Sequence, residues 1–409
     1  MRYRFGPYEL TPDRRELLSA GQPAAIEPQV FDLLLHLVTE RERIVSQDDL
    51  IAAVWNGRIV SDSAINARIS AARAAIGDDG ARQEWIKTIR GRGFRFVGPV
   101  EAIADAADAG PAPEPHRVAF RRSADGTRIA YATSGSGYPL VKAGNWLTHL
   151  DHDAQSPLWR PFLDRLNRRF QLVRYDQRGN GLSDWDARDF SLDRFVEDLE
   201  AVVDAAGVAR FALYGASQGA PIAIAYAARH PERVSHLILH GGYEKGRLVR
   251  EAAPDREQGE AILTLIRHGW GRRGSAFIDA FAAMFIPDGD REQIESLADL
   301  QRLTTSPENA AALRAAVDRF DVSGVIESVA APTLVLHARS DSIHPLEQGR
   351  QIASRIANAE FVMLESRNHV ILPQETAWTA LFGAIERFVP EGGRPPFPNQ
   401  SGLPTSSRD

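Results

Sequence analysis

Hydrophobic and polar positions divide the chain into two patterned blocks. In the first hundred residues, short strand-like runs at Arg4–Leu10 and Leu17–Ile26 are punctuated by Pro12-Asp13 and Gly21. A helical period follows. Val30, Leu33, Leu34 and Leu37 share one face behind Pro28, a helix-start residue. Leu50, Ile51 and Val54 repeat the pattern behind Ser46, an N-cap type. A third helix is predicted from Ser61/Asp62 to about Ile76, where Gly77 ends it. Its buried face would hold Ile65, Ile69, Ala72 and Ile76, leaving Asn66, Arg68, Ser70 and Arg73 outward. Ile86–Ile89 and Phe94–Val97 flank Arg90-Gly91-Arg92-Gly93 and read as a hairpin.

From Arg117 to Val389 the pattern alternates. Strand-like runs are Arg117–Arg121, Ile129–Thr133, Leu140–Ala143, Gln171–Tyr175, Phe211–Tyr214, Val234–Leu239, Thr333–His337 and Glu360–Leu364. Helical runs lie between them, among them Leu192–Ala206, Gly219–Arg229 and Thr376–Phe388. Such alternation predicts an α/β domain whose mostly parallel sheet is covered on both faces. Residues 243–320 interrupt it with helical runs and with Trp270, Phe277, Phe281, Met284 and Phe285. These apolar residues either line a pocket or pack a cap onto the core.

Composition adds boundaries. Residues 101–116 contain Pro111, Pro113, Pro115 and four acids with no Lys or Arg, and read as a solvated linker. Residues 390–409 read as a disordered tail. The net charge of −6 hides an uneven distribution: +1 over residues 1–100, −4 in the linker and −3 beyond it. Lys87, Arg90, Arg92 and Arg95 fall together in the hairpin region with no acid among them. The absence of cysteine excludes disulfides, thiolate-held metals and a thiol nucleophile, and no metal or cofactor is expected. No apolar run of 18 residues occurs and the N-terminus lacks the apolar core of a signal peptide, so the cytoplasm is the expected compartment.

The order and residues of the first block resemble the winged-helix DNA-binding domain of the OmpR/PhoB family. The stretches that carry the likeness are FGPYEL, FDLLLHLV, VSQDDLIAAVW, VSDSAINARISAARAAIG and IKTIRGRGFRFV. That resemblance implies base contacts from Asn66, Arg68 and Arg73 with Ser70 beside them on the outward face. It also implies backbone or minor-groove contacts from Lys87, Thr88, Arg90 and Arg92. Double-stranded DNA would be the partner and a homodimer the reading unit.

The second block carries G-x-S-x-G at Gly215-Ala216-Ser217-Gln218-Gly219, placed after an apolar strand and before an Ala-rich helix. This strand–turn–helix context is that of a nucleophile elbow. Asp341 and His369 follow later strands, giving the chain order Ser217, Asp341, His369 that α/β-hydrolases use; His337 and His344 are rival histidines. The block resembles the α/β-hydrolase family, including the D-x-R-G-x-G-x-S segment at residues 176–183, to which a structural role is assigned. The likeness implies an oxyanion hole from the N–H of Gln218 and from Asn145 or Trp146, although many family members have His-Gly where this chain has Ala143-Gly144.

The expected architecture is an N-terminal winged helix (1–100), the linker (101–116), an α/β-hydrolase domain (117–389, cap about 243–320) and the tail. Two functions fit. One is a DNA-binding regulator whose second domain senses, and can hydrolyse, a small ester-, lactone- or ketone-like ligand. The other is a serine esterase first, with the DNA-binding domain secondary.

Overall fold

The computed structural model describes residues 2–12, 15–41, 43–55, 60–103, 117–250, 253–271, 276–390 and 392. The expected linker beyond residue 103 and nearly all of the expected tail lie outside these residues. The chain divides into two compact units, Met1–Ala112 and Pro113–Asp409.

The first unit runs β1 (Arg2–Phe5), β2 (Tyr8–Thr11), β3 (Glu16–Ser19), β4 (Gln22–Ala24), α1 (Pro28–Thr39), α2 (Gln47–Trp55), α3 (Asp62–Ala75), β5 (Ile86–Ile89), β6 (Gly93–Phe96) and β7 (Glu101–Ile103). It is a winged helix: three helices, a β5–β6 hairpin and a leading antiparallel sheet of order β4-β3-β2-β1-β7. Two expectations change here. Each predicted N-terminal strand is a pair, because Gly6 and the Ala20-Gly21 turn take left-handed backbone that reverses the chain. Residues 101–103, assigned to the linker, form a strand that pairs with β1.

One core joins the helices to both sheets. Leu33, Leu34 and Leu37 of α1 meet Ile65 and Ile69 of α3, Phe5 of β1 and Phe94 and Phe96 of β6. Ser61 caps α3 by accepting from the Ala64 N–H. Ser46 and Asp49 cap α2 reciprocally, each side chain accepting from the other's backbone N–H. Gly93, at φ +131°, brings β6 against the chain at Val45, where a Cβ would stand 2.0 Å from the Val45 carbonyl oxygen.

The second unit begins β8 (Arg117–Arg122), β9 (Arg128–Ser134), β10 (Tyr138–Lys142), α4 (Leu150–Asp153), α5 (Arg160–Asn167), β11 (Phe170–Tyr175), α6 (Leu192–Ala205), β12 (Phe211–Ala216), α7 (Gly219–Arg229) and β13 (Val234–His240). Four cap helices follow: α8 (Ala253–Gly269), α9 (Ala276–Phe285), α10 (Arg291–Thr304) and α11 (Pro307–Val317). The sheet then resumes with β14 (Thr333–Ala338), α12 (Leu346–Arg355), β15 (Ala359–Leu364) and α13 (Thr376–Phe388).

Its eight-stranded sheet has the order β15-β14-β13-β12-β10-β11-β9-β8. It is parallel except where β9 pairs with β8 and β11. Alternate residues of each central strand enter opposite cores. Leu140, Leu172, Tyr214 and Leu336 face α5 and α13, while Val141, Val173, Leu213 and Val335 face the α6 and α7 side. Among the described residues, no helix is long and apolar enough to cross a membrane.

Candidate active site and nucleic-acid interface

Ser217 sits between the end of β12 and the start of α7. Its φ is +53°, a left-handed conformation that a serine adopts only under constraint. The constraint is visible on both sides. A Cβ on Gly215 would lie 2.5 Å from the Gly219 carbonyl oxygen, and one on Gly219 would lie 2.9 Å from that of Gly144. The turn therefore needs glycine two residues before and two after the serine, and it holds Ser217 on the wall of a cavity.

His369, in the loop after β15, lines the same cavity. Its Nδ1 stands 2.9 and 3.0 Å from the two carboxylate oxygens of Asp341. Asp341 is fixed in turn by the Ile343 and His344 N–H groups, which donate to its Oδ1 at 2.8 and 2.9 Å. Burial pushes the Asp341 carboxyl up. The His369 imidazole and the backbone donor at His344 outweigh burial and hold it below the ordinary carboxylate value. The Ser217 hydroxyl makes no hydrogen bond to His369 among the described residues, a looseness common in unliganded sites.

The rival histidines are held elsewhere. His337 donates through Nε2 to the His344 carbonyl at 3.0 Å. His344 is buried and pushed well below the usual imidazole value, first by burial and then by Arg247. Neither lines the cavity.

The N–H groups of Gln218, Asn145 and Trp146 have no acceptor among the described residues. All three residues stand beside the elbow, and Asn145 and Trp146 line the cavity. The Gln218 side chain donates to Gln177 Oε1 at 2.7 Å, tying the elbow to the segment 176–183. Arg178 anchors that segment with two bonds to Asp198, at 2.6 and 2.8 Å, and a third to Asp125.

The cavity is about 50 Å³, room for a few water molecules rather than an organic ligand. Cap residues Phe285, Leu297 and Gln301 form part of its wall. Of the cap residues considered from sequence, Phe285 alone lines it. Trp270 and Phe281 pack in the core, and Met284 is exposed. Sequence reasoning missed Lys142, Trp159, Tyr214, His240 and Gln301, which all line the cavity. The signal for Lys142 was a charged residue closing an otherwise apolar strand. Nothing comparable marked the others. His240 bonds the Tyr214 hydroxyl at 2.8 Å, and burial pushes its imidazole down to about 3.

The family model of the alpha/beta hydrolase fold matches residues 153–376. This chain belongs to the α/β-hydrolase fold family. Residues 21–96 match the model described as transcriptional regulatory protein, C terminal, so the first unit is a DNA-binding regulatory domain of the OmpR/PhoB type. The chain is 27% identical over 246 residues to the pimeloyl-[acyl-carrier protein] methyl ester esterase of Nitrosomonas europaea, across 59% of this chain and 92% of that one. It is 29% identical over 271 residues to the 2-hydroxymuconate semialdehyde hydrolase of a Pseudomonas species, across 60% and 85%. A solved hydrolase from Pseudomonas aeruginosa superposes with TM-score 0.55 at 25% identity, covering 66% of this chain and 98% of its own. The α/β-hydrolase unit is accordingly a hydrolase domain.

In the regulatory domain, α3 exposes Asn66 and Ser70. Arg73 is a correction: it is buried, and its guanidinium donates to the Ile86 carbonyl at 2.7 and 3.1 Å and to Thr88 Oγ1 at 2.9 Å. It pins the hairpin to the helix instead of facing outward. Arg68 is half-buried and engaged by Gln29 and Glu27. Lys87, Thr88, Arg90 and Arg92 are exposed on the hairpin.

Proposed function

We propose that this protein is a cytoplasmic transcription regulator whose hydrolase domain senses, and turns over, a small ester-, lactone- or ketone-like ligand. The observation that carries the reading is the Ser217 elbow sharing a cavity with the Asp341-held His369, in one chain with a DNA-binding regulatory domain. Ser217 attacks the ligand carbonyl, and His369 takes its proton through the ring nitrogen that Asp341 leaves free. Asp341 fixes the tautomer, and the N–H groups of Gln218 and of Asn145 or Trp146 receive the oxyanion. His369 gives the Ser217 proton to the departing alkoxide as the acyl–oxygen bond breaks, and then takes one from the water that hydrolyses the acyl-serine.

A 50 Å³ cavity admits such a ligand only when the cap yields, because Phe285, Leu297 and Gln301 wall it. Ligand binding then selects between closed and opened cap arrangements, which is the two-state element that a sensor requires. On the DNA side, Asn66 and Ser70 read base edges while Lys87, Thr88, Arg90 and Arg92 hold the backbone. A homodimer supplies two half-sites.

The test is a gel-shift titration of the full-length protein on its own promoter fragment, repeated with short esters present. Specific binding whose affinity changes with ester supports the reading. Binding no tighter than to unrelated DNA at moderate salt overturns it.

A further inference from the structure

Lys142 is the last residue of β10 and is only 8% exposed. A buried ammonium is normally paired with a carboxylate. Here its single hydrogen-bond partner among the described residues is the side-chain oxygen of Asn145. Asp153 and Asp176 act on it through space, and Arg174 opposes them, but among the described residues no carboxylate reaches ion-pair distance. Asp176 Oδ2 accepts from the Leu150 and Leu182 N–H groups, at 3.1 and 2.9 Å, while its Oδ1 and that of Asp153 are buried without a hydrogen-bond partner among the described residues and stay beyond ion-pair distance of the amine. The ammonium also stands 5.9 Å from the Trp159 ring centre.

Lys142 lines the Ser217 cavity, and other wall groups await a partner in the same way. Gln301, 1% exposed, has neither amide atom bonded, and the Trp159 indole N–H is buried without an acceptor. A cation and two neutral donor groups thus converge on an otherwise apolar chamber. A neutral ester oxygen can accept from one of these donors but brings no charge to offset the buried ammonium. An anionic oxygen group satisfies them together, and a carboxylate suits both the point charge and the planar amide donor.

Resting on the sensor reading above, we propose that Lys142, with Gln301 and Trp159, forms a carboxylate subsite, so that the ligand is an acyl compound bearing a free carboxylate besides its scissile carbonyl. Because Gln301 belongs to cap helix α10 and Lys142 to the sheet, the carboxylate bridges cap and core. That link gives the ligand differential affinity for one cap arrangement, which an uncharged ester lacks.

Calorimetric titration of full-length Ser217→Ala, which cannot turn the probes over, tests this with monomethyl and dimethyl esters of the C4–C8 dicarboxylic acids. The expected result is at least tenfold tighter binding of the half-ester at the best-fitting length, with the preference lost in Ser217→Ala/Lys142→Met. Thermal unfolding verifies that this double variant is folded. Equal binding of half-esters and diesters, or a preference that survives Lys142→Met, overturns the carboxylate subsite while leaving the sensing cavity standing. Binding of neither series overturns the subsite and the sensing reading together.

Discussion

The two units place their polar chemistry in opposite settings. In the regulatory domain, the residues proposed to meet DNA stand in water: Asn66, Ser70, Lys87, Arg90 and Arg92 are exposed. Its buried polar groups are staples. Arg73 holds the hairpin, and the Asp78 carboxylate accepts from the N–H groups of Asp79, Glu84, Trp85 and Ile86. In the hydrolase domain the arrangement is reversed. Lys142, Gln301 and His369 are buried, and some of their hydrogen-bonding capacity is unused. Exposed contacts cost the fold little while they wait for a partner. Buried, under-satisfied groups cost the fold stability, and on the proposed reading a ligand would supply their partners.

The sharpest break between the two settings is Ser217→Ala. Turnover of short p-nitrophenyl esters should fall at least about 10³-fold in kcat/KM, because removing the nucleophile leaves only binding and oxyanion stabilisation. Promoter binding without ester should stay unchanged in the same preparation. Equal hydrolysis rates in the two proteins would remove the catalytic assignment.

Arg73→Ala separates a staple from a contact. It strips donors from the Ile86 carbonyl and Thr88, and opens a gap under the hairpin. Unfolding of the regulatory domain, followed by denaturant titration, should weaken by about 2–3 kcal/mol. Ser70→Ala, one helical turn from Asn66, should change stability by less than about 0.5 kcal/mol while weakening promoter binding. If Arg73→Ala leaves stability intact and abolishes base discrimination, its outward assignment returns.

Lys142→Met tests the cost of waiting. Burial pushes the Lys142 amine from 10.5 down to about 8, a depression worth about 3 kcal/mol. Orphaning the Asn145 oxygen gives part of that back, so the variant should be about 2 kcal/mol more stable than wild type at pH 7. The sign with pH is fixed. Between about pH 8 and 10.5 the unfolded chain holds a proton that the folded chain has lost, so wild-type stability climbs with pH. The advantage of the variant should therefore be full below about pH 8 and shrink towards pH 10.5 in thermal unfolding. Asp153, Asp176 and Arg174 face the same amine and are unchanged in the variant.

These contrasts also mark what the sequence made legible. The strained turn at Ser217 could be read because a strand, two glycines and a helix in fixed order leave one place for it. Asp341 and His369 followed from the strands that precede them. Arg73 was misplaced by its charge, although helical arithmetic already put it four residues after Ile69 and three before Ile76, on the buried face. Lys142 passed unnoticed for a related reason: an apolar run conceals a single cation, and only the fold shows which cavity it enters. Gly21 marked the β3–β4 turn in the sequence, whereas the Gly6-Pro7 turn between β1 and β2 was enclosed within one strand-like run because it resides in a left-handed backbone at Gly6. Gln301 and Trp159 had no sequence signal, since helical periodicity does not distinguish a wall of a cavity from a packed core.

The smallest expected effect concerns the exposed hairpin, where each contact is individually weak. Arg90→Ala/Arg92→Ala removes two cations from a turn with no acid beside them. Neutralised phosphates release counterions, so losing two contacts should make the plot of log affinity against log salt shallower by about 2. Affinity should fall by a similar factor on specific and unrelated DNA, since backbone contacts carry little sequence information. Hydrolysis of p-nitrophenyl esters and thermal stability should not move, because these side chains lie in solvent and support no core. A loss confined to the specific promoter, with the salt slope intact, would instead make the hairpin arginines base readers. The division of labour between α3 and the hairpin would then have to be redrawn, with Asn66 and Ser70 as the residues that orient the domain.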